Sequence, residues 1–265
     1  MNPTFQQYLN SWKKLPTIGL IWIHDVLTVL ILTFLWLGFG NLLTSQALAM
    51  SGGKTAEELK VLLFTQSLEA NQAFLGNIKV FFFLLTGGTI LVIILTILIF
   101  SLFQARIWST LLAQPLTLKK YWRWNWITLI IGIILVIYLM VYAFIRFFTN
   151  LIPYPNEITY LIVTQLVVLV FLLTFFFISF IVFKEFAQTN KVWETFHNVY
   201  LTLVKHKKTL LKKYGFTILT TVVIGIISSL LQRFFITQPI ITMFISIGFL
   251  LIITSWMRVY IAMET

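Results

Sequence analysis

The 265-residue chain has no cysteine, which removes disulfide frameworks, thiolate metal sites and a cysteine nucleophile together. Charge is nearly as scarce: Asp, Glu, Lys and Arg make up 10% of the residues, against about 25% in an average soluble domain. Catalytic spacings are missing as well. The three histidines, His24, His197 and His206, form no close-spaced pair, and no serine sits in a G-x-S-x-G frame. Gly53-Lys54-Thr55 imitates the end of a phosphate-binding loop, but the opening glycine is replaced by Leu48 and no strand precedes it. A zinc enzyme, a serine hydrolase and a nucleotide-driven pump therefore have no support, and no metal or cofactor is expected.

Apolar side chains fill the place of the missing charges. They make up 59% of the chain, with 26 Phe and nine Trp, and the mean hydropathy is +0.95. A water-soluble fold cannot hide that much apolar surface, so the composition points to an all-α integral membrane protein. Strict alternation is absent, which excludes a lipid-facing β-barrel. Six apolar runs reach the roughly 20 residues a bilayer needs: 17–43, 78–103, 127–148, 158–183, 216–236 and 239–262. They pair as three hairpins in a single transmembrane domain over 1–265. The first run, preceded by Lys13-Lys14 and followed by Ala47-Leu48-Ala49, mimics a signal peptide. It is much longer than the about 7–15 residues of a signal core and is expected to be retained.

The basic residues orient the spans. Lys13, Lys14, Arg106, Lys119, Lys120, Arg123, Lys184, Lys191, Lys205, Lys207, Lys208, Lys212, Lys213 and Arg258 fall on one side; Lys54, Lys60, Lys79, Arg146 and Arg233 fall on the other. Eight of the nine Trp, all but Trp36, gather near the richer side. The expectation is a cell inner-membrane protein with both termini in the cytoplasm. The net charge of +11 then sets topology and carries no nucleic-acid role.

Each hairpin is introduced by a basic, amphipathic segment. Phe5, Tyr8, Leu9, Trp12 and Leu15 form one helical stripe, with Pro16 ending that helix. Thr117–Trp124 leads into the third span. In 190–213, Trp193, Phe196, Tyr200, Leu203, Val204, Leu210 and Leu211 share a face opposite Lys, Asn and His. The first two are expected to lie in the interface; for 190–213, an interfacial helix and a packed cytosolic cap are both open. In the outer connection, Thr55-Ala56-Glu57-Glu58 has the capping-box pattern and predicts a short external helix.

This layout, with Val192-Trp193-Glu194-Thr195-Phe196, Leu203, Lys207-Lys208 and Leu211-Lys212-Lys213-Tyr214, resembles a broad family of uncharacterised prokaryotic six-span membrane proteins. That family is similar to the membrane domain of some glycerophosphodiester phosphodiesterases. The chain leaves no room for the soluble phosphodiesterase domain. The resemblance thus implies the six-span fold, no phosphodiesterase activity, and no site residues.

Ionisable groups inside the spans are the remaining candidates. His24 and Asp25 lie about two turns into the first span, and Arg258 lies at comparable depth in the sixth. They read either as a relay or as an internal anchor, Asp25 holding Arg258; the anchor is the expectation. Thr221, Gly225 and Ser229 form a small-residue face on the fifth span, and Gly87-Gly88 reads as a kink or loosening of the second, with a helix broken at a substrate site as the sharper alternative. Lys205, Lys207, Lys208, Lys212 and Lys213 are candidates for anionic lipid headgroups. The function expected is a non-catalytic, lipid-interacting or membrane-organising module. The alternative is a small transporter or channel for a lipid or amphiphile, with a membrane enzyme third. Membrane lipids are the expected partners; protein partners are not legible.

Overall fold

A computed structural model describes residues 3–51, 58 and 68–263, and among them there are helices and no strands. In order, these are α1 (Pro3–Trp12), α2 (Leu15–Ser51), α3 (Leu68–Phe83), one π-helical turn (Leu84–Gly88), α4 (Thr89–Leu111), α5 (Leu118–Leu151), α6 (Glu157–Thr189), α7 (Val192–Lys205), α8 (Lys207–Arg233) and α9 (Pro239–Ala262). Six helices are long and apolar enough to cross a membrane: Leu15–Ser51, Leu75–Leu111, Leu118–Leu151, Glu157–Thr189, Lys207–Arg233 and Pro239–Ala262. The capping box rests on Thr55, which lies outside the described residues, as do Lys54 and Lys60.

The helices outrun the apolar runs. A 37-residue helix such as α2 is about 55 Å long, well beyond a hydrocarbon core of about 30 Å. No Gly or Pro separates Thr117–Trp124 from the third span, so that segment is simply the first turns of α5. The Thr117 side chain caps it by accepting from the Lys120 amide at 3.3 Å. The interfacial helix expected there is therefore an extension of a span. Pro16 likewise does not end α1: the chain turns at Lys13-Lys14, and Pro16 sits in the first turn of α2, where its missing amide costs nothing.

The chain divides into two compact units, Met1–Val26 with Ser101–Thr265, and Leu27–Phe100, the boundary falling inside α2 and α4. In the smaller unit, Trp36 donates to Thr96 Oγ1 at 3.1 Å. The Phe39 ring lies so close to Gly88 that a Cβ there would stand 2.6 Å from it. Gly87-Gly88 closes the π-turn, and the helix runs on through it, so the expected kink is a one-residue bulge and not a break.

In the larger unit the core gathers at the end of the helices that carries the Lys and Arg. Trp108, Phe183, Phe186, Trp256 and Tyr260 are fully buried there. Toward the other end Ile133, Ile137, Met140, Phe144 and Phe148 of α5 are exposed. A continuous apolar exterior of this kind belongs in hydrocarbon. Polar bonds tie neighbouring helices, as is common between membrane spans: Trp22 to the Gly248 carbonyl, Tyr138 to the Phe171 carbonyl at 2.9 Å, and Gln232 to Ser246 at 3.0 Å. The protein is a multi-pass, all-α membrane protein.

Candidate functional site

Asp25 and Arg258 meet. An Arg258 Nη1 donates to Asp25 Oδ2 in a buried ion pair, both residues being 5% exposed. The same oxygen accepts from the Ser255 hydroxyl at 2.8 Å. Ser255 precedes Arg258 by three residues and so shares its face of α9, a placement that helical periodicity alone makes legible. The guanidinium also lies over the Phe180 ring of α6, 4.5 Å from its centroid. Three helices thus meet at one ion pair. His24 turns elsewhere: its Nδ1 is 2.8 Å from the Leu20 carbonyl, one turn back, and its ring meets the edge of Phe103. Asp25 is compensated by a cation and a hydroxyl, which is the chemistry of an anchor.

The stripe expected to lie in lipid on α1 is docked on protein. Tyr8 stacks on Phe216 of α8 at 4.9 Å, Trp12 stacks on Trp256 of α9 at 5.2 Å, and Trp256 donates to Ser11 Oγ at 3.0 Å. Thr4 and Ser11, both buried, lie on this face. Aromatic spacing does not distinguish lipid from a neighbouring helix; small hydroxyls on the same face favour a neighbour that can answer them.

Segment 190–213 is two helices, because α7 ends at Lys205 and α8 begins at Lys207, with His206 outside helical geometry between them. Thr195 and Val199 of α7 are buried, the first bonded to Thr189 of α6 at 2.9 Å. Arg123 of α5 clamps the turn before α7 by donating to the Asn190 carbonyl at 2.9 Å. Trp193, at 81% exposure, and Tyr200, at 64%, project away from the packed side together with Val204. Lys205, Lys207, Lys208 and Lys212 are exposed around the junction. Lys213 departs from them: it is 4% exposed, donates to the Met263 carbonyl at 3.1 Å and lies over the Tyr260 ring. Its ammonium thus faces the packed side of α8 rather than the exposed junction.

The small-residue face of α8 packs only in part. Thr221 is buried along with Thr217, Thr220, Ile224 and Ser228, whereas Gly225 has open space where a side chain would stand and Ser229 is exposed. Two features were missed in the sequence. Lys184 was read only as a topology signal and Glu185 was not singled out, yet both line a cavity with Lys213. A second polar patch joins α4 and α5, where Ser101 bonds Asn125 and Gln104 is 1% exposed.

No protein-family model, curated protein or solved structure matches the chain. The functional reading accordingly rests on the residues themselves.

Proposed function

We propose that the protein is a non-catalytic, lipid-interacting module of the cell inner membrane, with both termini in the cytoplasm. The observation that carries this reading is the outward apolar flank of α7. Leaving a large apolar side chain in water forfeits about 1.5–3 kcal/mol, and Trp193, Tyr200 and Val204 stand exposed together on one short helix. Its opposite flank is already docked on α6. The boundary between headgroups and acyl chains satisfies such a helix, taking the aromatics below and leaving Lys205, Lys207, Lys208 and Lys212 at phosphate level. The alternative, passage of an amphiphile through the bundle, needs intramembrane polar groups free to meet a cargo, and Asp25 is committed to Arg258 and Ser255.

The test is extraction of the protein in mild detergent followed by mass spectrometry of the retained lipid. Anionic phospholipid should be enriched over its share of the membrane, and Gln at positions 205, 207, 208 and 212 together should remove the enrichment. Retention of lipids at their bulk ratio contradicts the reading. Orientation is tested by single cysteines at positions 54 and 120 with an impermeant label on intact cells. Position 54 should react and position 120 should not.

A further inference from the structure

At the basic end of the larger unit, α6, α7, α8 and α9 enclose a cavity of about 70 Å³. On this scale about 10–15 Å³ suffices for one water, so the space admits a small water cluster or one polyatomic anion. Its polar wall consists of Lys184, Glu185, Thr202, His206, Thr209 and Lys213, while Ile181 and Ile261 line the apolar part. Lys213, Ile181 and Ile261 are buried, Lys184 is half-buried and His206 is exposed, so the cavity has a cationic floor and an open rim.

Its charge is unbalanced. Among the described residues the ion pairs are Lys191–Glu194 and Asp25–Arg258, so Glu185 lines the cavity without pairing to Lys184 or Lys213. Two ammonium groups against one carboxylate leave an excess of one positive charge. Lys213 has three donors and spends one on Met263. Two cations and the Thr202 and Thr209 hydroxyls around a space of this size suit a phosphoryl group, and a singly charged phosphodiester matches the excess.

We propose that this cavity binds a phosphoryl anion, the phosphate of an anionic phospholipid or a free phosphate. The proposal deepens the lipid reading above, on which its phospholipid branch rests, by adding to the exposed lysines a specific phosphoryl site at Lys184 and Lys213. A lysine–phosphate bond is worth about 1.5–3 kcal/mol, so losing one should weaken binding roughly tenfold or more.

The experiment measures binding to the full chain in a neutral detergent, by native mass spectrometry and thermal shift, with phosphatidylglycerol, phosphatidylcholine and inorganic phosphate as separate probes. Lys184→Gln and Thr209→Val are the pocket variants, both at half-buried positions that tolerate substitution better than buried Lys213; Lys119→Gln, exposed at the start of α5 and outside both the cavity and the α7–α8 junction, is the control. Lys184→Gln should lose tenfold or more, Thr209→Val several-fold, and Lys119→Gln less than threefold. Binding of phosphatidylglycerol alone identifies the lipid source. Binding of phosphate alone, sensitive to Lys184, keeps the pocket and overturns the lipid reading. Phosphatidylglycerol binding that survives Lys184→Gln and Thr209→Val overturns the pocket and keeps the surface reading. Failure of both anions to bind overturns both.

Discussion

Neutralising either partner of the Asp25–Arg258 pair leaves the other charged and buried among α2, α6 and α9. Loss of one member of a buried pair costs about 3–5 kcal/mol, and a lone charge at a bilayer centre costs about 2.5–3.5 kcal/mol on insertion scales, less toward the interface. Both residues lie within two turns or so of the basic end, which favours the lower figure, about 3 kcal/mol for Asp25→Asn or Arg258→Gln. For a chain of this length 1 kcal/mol moves the unfolding midpoint by about 2–4 °C, so each single variant should melt about 6–12 °C lower. The double variant leaves no charge and retains an amide to answer Ser255. Its loss should be close to that of one single variant, giving a coupling of about 2–3 kcal/mol. Ser255→Ala, which removes one bond to the carboxylate, should cost about 1.5 kcal/mol. The assay is thermal unfolding of the four proteins in one mild detergent. Additivity of the two single losses within about 0.5 kcal/mol would refute the pairing as an energetic unit.

Two further substitutions test local packing by the same melting assay. Ala113, just beyond α4, has φ of 51° and lies where a left-handed backbone favours glycine, so Ala113→Gly should stabilise by about 1 kcal/mol; a loss would contradict the turn. Gly88→Ala should destabilise by about 1 kcal/mol, since displacing Phe39 outweighs the gain in helix propensity, and Phe39→Leu should restore it. Gly87→Ala, with nothing nearer than Phe83 at 4.0 Å, should be neutral or stabilising.

The six spans were legible because the apolar runs reach bilayer length whatever packs beside them. Asp25 and Arg258 were legible because isolated opposite charges at one depth have few other partners. The fate of the three amphipathic segments was not, because a stripe such as Phe5, Tyr8 and Trp12 reads the same against lipid and against Phe216 and Trp256. The three segments became a docked helix, an extension of a span and a helix with its aromatics outward. The break at His206 carries no Pro or Gly; packing of α7 on α6 and of α8 on α9 sets it. The phosphoryl cavity escaped notice because Lys184 and Lys213 are 29 residues apart in sequence, and a positive-inside count treats each lysine alike.

The depth of α7 decides the central claim. Because the chain has no native cysteine, a nitroxide on Tyr200→Cys or Glu194→Cys reports one site without background. Accessibility is read in bilayers containing anionic lipid, with oxygen partitioning into hydrocarbon and a nickel chelate staying in water. Tyr200 lies on the outward apolar flank and Glu194 on the charged side, paired with Lys191 at 2.7 Å. A label at 200 should collide with oxygen and be shielded from nickel, while one at 194 should show the reverse. Equal exposure of both positions to the nickel chelate would place α7 in water and contradict the account.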